Sequence, residues 1–285
     1  IDTDVPLFAQ FAIDDDTEYR SIASSFADTF VRAATPEVWA GVRWQQRVKV
    51  RLMQESRWLD LEQFLLDLRG NNGVPHTSVV GNRVELDMSA WTGVSDLLVG
   101  DQLTLGERQT KGHAFFDECV WTDAGLSLSG FSYVSHVSPA EGDQFLLTLV
   151  NDRTHDVVDV PNVYRASSSF ASRMANHQNF DYSENGFTAT LPWELLDSLS
   201  VNPDSGWKVA DSWSLTGRVV ASGIERTVAV RQARKGGSAG ALRSAGLSDR
   251  GRVALPLTKS GYFSLEFRSF SAVLASVSAA ESELA

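Results

Sequence analysis

The densest run of groups able to recognise a polar ligand is Arg173-Met174-Ala175-Asn176-His177-Gln178-Asn179-Phe180-Asp181-Tyr182. A sugar site needs an aromatic face for stacking, amides or carboxylates for the hydroxyls, and a guanidinium where phosphate is carried. Arg173, His177, Asp181 and Tyr182 are therefore the candidate carbohydrate-binding residues. The same run also reads as a long loop whose Phe180 and Tyr182 cover the edge of a core. A second group is basic: Arg43, Arg47, Lys49, Arg51 and Arg57 face a single acid, Glu55, between positions 43 and 57. Arg43, Arg47, Lys49 and Arg51 are the candidate contact for a polyanion or an acidic partner. The plainer reading is a solvated helix face.

Catalytic patterns are sparse. Asp14-Asp15-Asp16 is similar to the acidic motif with which sugar-nucleotide transferases hold a divalent metal, because hard cations take clustered carboxylates. Thirteen residues precede it, too few for a nucleotide-binding sheet, so an acidic helix start is the better reading. The five histidines share no ligand spacing, and the single cysteine, Cys119, offers neither a disulfide nor a thiolate cluster. Cys119 lies in an apolar strand pattern, where a buried, inert thiol is the usual role. No Gly-x-Ser-x-Gly elbow and no glycine loop for phosphate is present. The expectation is no catalytic residue, no metal and no cofactor.

The elements that must position these groups change character along the chain. Residues 1–75 read as a small helical bundle. Ile22, Phe26 and Phe30 recur at steps of four with Ala23 and Ala27 beside them, after the cap residues Asp16 and Thr17. Trp44, Val48 and Leu52 form a second stripe, and a third helix runs from Ser56 through Leu61, Phe64 and Leu68 to Gly70. Residues 76–270 read as β structure. A hairpin spans Val79 to Val84, then Leu126 and Leu128 alternate with serines until the phase slips at Gly130, as a bulge requires. Alternation returns at Phe145-Leu147-Leu149, at 186–191, through Trp213, Leu215 and Val219, and at Phe263-Leu265-Phe267. About ten strands without crossover helices predict antiparallel sheets packed as a sandwich, so the fold class is α+β by segments. Residues 235–251 read as a glycine-rich loop and 271–285 as a tail or linker.

The totals bound the function. A formal charge of −11 over 285 residues argues against nucleic acid as the main partner, since that interface needs cations for phosphates. No apolar run reaches the roughly eighteen residues of a membrane span. The first eighteen residues carry six acids and no Lys or Arg, which is not a signal peptide. With Ile1 at the start, the chain is expected to be a piece of a longer protein.

Five stretches carry a family likeness: PEVWAGVRWQQRVKVRLMQESRWLDLEQFLLDL, GLSLSGFSYV, FLLTLVNDRTHDVVDVP, NFDYSENGFTATLP and LTKSGYFSLEFR. Together the chain resembles the C-terminal non-catalytic region of bacterial family-2 glycosyltransferases and related polyol-phosphate transferases, which build or decorate teichoic-acid-type cell-wall polymers. The resemblance implies a helical connector followed by an immunoglobulin-like β-sandwich, with no catalytic residue of its own. It implies as partners a catalytic glycosyltransferase domain of the same polypeptide, an anionic cell-wall polymer and further copies of the chain. The implied location is cytoplasmic, at the inner face of the membrane. A carbohydrate-binding module and a purely structural oligomerisation scaffold are the alternatives.

Overall fold

The computed structural model describes residues 17–70, 75–91, 93–175, 179–199, 211–233, 246–247 and 252–269. Asp14-Asp15-Asp16, His177, most of the glycine-rich stretch and the 271–285 tail lie outside them. Helix α1 (Thr17–Ala33) turns Ala23 and Ala27 innermost, with Phe26 and Phe30 packed beside them and Ile22 47% exposed. The two alanines let α1 lie close to its neighbour, and the Ser24 hydroxyl donates across the gap to the Met53 carbonyl at 2.9 Å. Helix α2 (Pro36–Gly41) starts at Thr35, whose hydroxyl accepts the Val38 N–H, and Pro36 occupies the first turn, where a missing N–H costs nothing. Helices α3 (Trp44–Gln54) and α4 (Trp58–Gly70) complete the group.

Helix α3 is the centre of this region. The predicted stripe Trp44, Val48 and Leu52 is buried, but so are Gln46, Arg47, Lys49, Val50 and Met53, so nearly every side of the helix meets protein. A small sheet covers it: β1 (His76–Val80) and β2 (Arg83–Asp87) form a hairpin about Gly81, which takes the left-handed conformation at φ +64°, and β3 (Thr104–Leu105) adds to β2. Val84, Leu86, Leu97 and Leu105 join Trp44, Leu61 and Phe64 in one core, in which Trp44 meets Trp91 at 5.0 Å between ring centroids.

The larger sheet comprises β4 (Gly112–Thr122), β5 (Gly125–Val134), β6 (Gln144–Asn151), β7 (Val157–Asp159), β8 (Val163–Ala166), β9 (Gly186–Pro192), β10 (Asp211–Ala221), β11 (Ile224–Ala229), β12 (Arg231–Gln232), β13 (Gly246–Leu247), β14 (Arg252–Lys259) and β15 (Tyr262–Ser269). Two short helices interrupt it, α5 (Ala171–Ala175) and α6 (Trp193–Leu199). Pairing runs β7-β6-β10-β15-β12-β4-β5-β9-β8 and is antiparallel apart from the two-residue β12–β4 step. Strand β10 is the pivot. One edge holds β6 along Trp213 to Val220, while the other is shared between β15 and β11.

The two ends of this path, β7 and β8, are consecutive in the chain and separated by Val160, Pro161 and Asn162. Laid flat, nine strands would put them about 38 Å apart at ~4.8 Å per step. The connector reaches at most about 14 Å. The sheet must therefore curl, and it does: Phe116, Leu128, Leu149, Phe187, Leu215 and Leu265 share one core, and Phe145 of β6 meets Phe187 of β9 at 4.6 Å. The expected helical segment followed by antiparallel β structure is present. Where the sandwich pattern calls for two separate sheets, the described strands follow one continuous hydrogen-bonded path, because β12 carries the ladder from β15 across to β4.

The phase slip at Gly130 does mark a bulge, and the extra residue lies on the opposite strand. Phe116 pairs with Gly130 and Glu118 with Ser129, which leaves Asp117 out of the ladder.

Candidate functional site

The Arg173–Tyr182 run wraps onto a small core of Phe131, Tyr133, Ala171, Tyr182 and Ala233. Tyr182 is 1% exposed, its hydroxyl donates to the Val134 carbonyl at 3.2 Å, and burial pushes its pKa up. Its ring offers no free face for a sugar. The Asp181 carboxylate accepts the Ser172 hydroxyl at 2.5 Å and the Ser183 N–H at 2.9 Å, which together hold its pKa below the ordinary value. It closes a turn. Arg173 lies on α5 with its guanidinium 4.4 Å above the Phe170 ring. His177 is outside the described residues. The structure thus brings Asp181 and Tyr182 together as parts of a loop anchor, with Arg173 beside it.

The basic segment is also redistributed. Arg43 is exposed at the start of α3, whereas Arg47 is 0% exposed. The Arg47 guanidinium donates to the carbonyls of Val42 at 2.8 Å, Gln102 at 2.6 Å and Thr104 at 2.7 Å. Burial lowers its pKa to about 10, which leaves it charged at neutral pH. Lys49 is 8% exposed, and burial together with Arg43 lowers its pKa. Arg51 donates to the Leu97 carbonyl and to Gln54 and Glu55. Arg47, Lys49 and Arg51 lie on α3 and Arg43 immediately precedes it, but the four form no single outward patch, because α3 is enclosed by its neighbours.

A groove that the sequence pattern did not point to lies where the curled sheet nearly closes. It has a volume of about 250 Å³ and lies between β6 at Gln144–Leu146, β8 at Val163–Arg165, the start of β9 and the end of β10. Strand β7 covers β6 from Thr148 to Val150, the Val160 N–H bonds the Leu147 carbonyl, and β8 pairs only with β9, so β8 and the Gln144–Leu146 end of β6 face the groove with unpaired edges among the described residues. Arg165 spans this seam. Its Nε donates to the Glu184 carbonyl at 2.9 Å and its Nη1 to the carbonyls of Ala140 and Glu141 at 3.2 and 3.1 Å. The Asp143 carboxylate, at the other wall, accepts the N–H groups of Ala140 and Ser222 at 2.9 and 2.8 Å. Tyr164 is 62% exposed at the rim. The Oδ1 of Asn185 is buried in the lining without a hydrogen-bond partner, although its backbone N–H and carbonyl are both bonded. Four separate stretches of chain supply these groups, so no local spacing could have announced them.

Other reactive groups are insulated. Cys119 is buried and its thiol pKa is pushed up to about 12, so it does not supply a thiolate at neutral pH. Among the described residues, no three His, Cys, Asp or Glu side chains lie close enough to hold a metal. His113 stacks on Tyr133 at 4.8 Å and contacts the Ser135 hydroxyl at 3.0 Å. Burial, then Arg231 and Lys111, lower its pKa; burial alone does so for His136. Both histidines then bind protons more readily in the unfolded chain, so stability is present above the unfolded value of about 6.5 and declines as pH falls through it. Urea unfolding midpoints are expected to drop between pH 7 and about 5.5, and His113→Gln is expected to flatten that drop. An unchanged pH slope in the variant would remove His113 from this role.

No protein-family model matches the chain, and no curated protein sequence matches it. Among solved structures, it is similar to the crystal structure of S. aureus TarS 217-571, with 12% identity, a TM-score of 0.47, and coverage of 91% of this chain and 64% of that one. It is also similar to a crystal structure of S. aureus TarS at 12% identity and a TM-score of 0.41, covering 91% of this chain and 40% of that one. The chain therefore spans less than two-thirds of each TarS chain to which it is similar.

Proposed function

We propose that this chain is a non-catalytic accessory region of a cell-wall polymer glycosyltransferase. Its helices act as a connector that holds the β body in a fixed pose relative to a catalytic domain of the same polypeptide. The observation that carries this reading is the shared core at the junction: Val134, Val137, Val219, Ala221 and Ile224, from the ends of the larger sheet and its loops, are buried with Trp39, Trp44 and Leu52 of the helices. A connector built this way transmits orientation, whereas a hinge would leave those apolar residues in water. The inward donors Arg47 and Arg51 add polar ties from α3 to residues 97–104. The division into a connector at 1–75, a β body at 76–270 and a tail at 271–285 belongs to this reading, with the small sheet packed on the connector side.

The face-to-face packing of the two halves of the larger sheet supports treating it as sandwich material of the immunoglobulin-like kind. The sequence resemblance supports a teichoic-acid-type polymer as the acceptor, self-association of the region and a place at the cytoplasmic face of the membrane. No helix among the described residues is long and apolar enough to cross a membrane. The test is direct. Incubated with UDP- and CDP-linked sugar donors, the isolated chain is expected to leave them intact, and deleting it from a polypeptide that carries the nucleotide-sugar domain is expected to reduce the polymer modified. Steady donor consumption by the chain alone overturns the proposal.

A further inference from the structure

We propose that the seam groove between β6 and β8 binds one uncharged saccharide unit through Tyr164, Arg165 and Asn185. This goes beyond the accessory reading and does not depend on which enzyme the chain serves. Three features of the groove converge on polyhydroxylated chemistry. Asn185 lines the groove, and its Oδ1 is buried with no donor among the described residues, an unmet cost of about 1–3 kcal/mol that a turn of the half-buried amide toward a ligand hydroxyl relieves. Arg165 lines the same groove with Nε and Nη1 committed to backbone carbonyls, which fixes the guanidinium plane and leaves Nη2 to donate to a sugar oxygen. Tyr164 presents a 62% exposed ring at the rim, a surface on which the apolar face of a pyranose stacks.

The size and charge of the groove narrow the class. About 250 Å³ lies just below the ~300–1,000 Å³ usual for small-molecule pockets and suits a single ring rather than a long segment. The groove lining holds one guanidinium, Arg165, and one carboxylate, Asp143, so its formal charge is balanced and the chain around it carries −11, which gives an anionic ligand no net attraction. A peptide strand is the other ligand that unpaired edges invite. Arg165 disfavours it, because its bonds from β8 to the carbonyls of 140 and 141 staple the seam that a strand would have to enter.

The test follows backbone amide shifts of the chain during titration with free glucose, free N-acetylglucosamine and inorganic phosphate. A monosaccharide at millimolar concentration is expected to move the resonances of Phe145, Asn185 and Gly186, with phosphate silent at those positions. Tyr164→Ala, at an exposed site that leaves the core intact, is expected to weaken the saccharide about five-fold, the value of an aromatic contact. Asn185→Leu is expected to abolish the response while far-UV circular dichroism stays unchanged. Absence of a saccharide shift, a shift that Tyr164→Ala does not alter, or equal movement by phosphate would each overturn the proposal. So would a short β-prone peptide that moves Val163–Ala166 while the sugars do nothing.

Discussion

Arg47→Ala is expected to destabilise the chain by about 3 kcal/mol or more, read as a lowered urea midpoint at unchanged slope. Two effects oppose each other at this site. Freeing the fold from a buried guanidinium recovers several kcal/mol of desolvation. Against that, the carbonyls of Gln102 and Thr104 lose charge-assisted bonds of 2.6 and 2.7 Å, and an unmet buried carbonyl costs about 1–3 kcal/mol each. The side chain also fills a fully enclosed space, 0% exposed, so truncation adds a cavity. The losses outweigh the gain because no carboxylate is left behind to be neutralised by relaxation; the Thr104 carbonyl stays where β3 pairs with β2, and the Gln102 carbonyl where the helical turn at 100–102 holds it. Arg47→Lys is expected to fall between, since one ammonium cannot reach both the Val42 carbonyl and those of the 102–104 segment as the planar guanidinium does. Stability within about 1 kcal/mol of the parent in the alanine variant would show that Arg47 faces solvent, and would return it to the candidates for polymer contact.

Gly130→Ala is expected to cost at least as much, for a steric reason. A Cβ at position 130 would stand 2.0 Å from the Phe115 carbonyl oxygen and 2.8 Å from the Phe116 Cα, both backbone atoms of β4. Flexible side chains yield to such a contact; a paired strand does not. Strand β4 is held by β5 on one side and β12 on the other, and Phe116, 0% exposed, meets Phe263 edge-on at 5.6 Å in the core. Moving the strand would unpack that contact, so the penalty lies at or above the ~1–3 kcal/mol typical of overpacking. Gly142→Ala is the control. Nothing lies within 4 Å of a Cβ there, and the change is expected to stay within about 0.5 kcal/mol. Thermal unfolding of the two variants side by side separates backbone crowding at the bulge from a general effect of adding a methyl group.

The curled sheet connects these predictions to the seam groove. A sheet closed into a barrel has no edge strands, and a flat one exposes both ends. Here a three-residue connector forces the ends together without pairing β6 to β8 among the described residues, and the space between them is the groove. The groove is therefore a consequence of topology before it is a property of any side chain. Arg165 and Asp143 then line it with polar groups whose own bonds keep them in place.

Periodicity in the amino-acid sequence determined which residues turn inward along each element. Trp44, Val48 and Leu52 at helical spacing, and Leu126 and Leu128, Leu147 and Leu149, Phe187 and Leu191, and Phe263 and Leu265 at strand spacing, are all buried as their alternation required. The buried thiol of Cys119 was legible in the same way, and the slip at Gly130 revealed a bulge, although not that Asp117 on the neighbouring strand would be the residue left over. What lies opposite a face was beyond reach of such patterns. Arg47 went inside and Arg43 outside because the carbonyls that compensate Arg47 come from residues more than fifty positions away, at 102 and 104. Tyr182 covers a core edge, as one of the two readings of its run had it, and what the run could not name was the partner, the Val134 carbonyl at the end of β5 that accepts its hydroxyl. The joining of the strands into one curled path, and with it the seam groove, was decided by long-range pairing, since a local run of residues records its own alternation and not the partner it will meet.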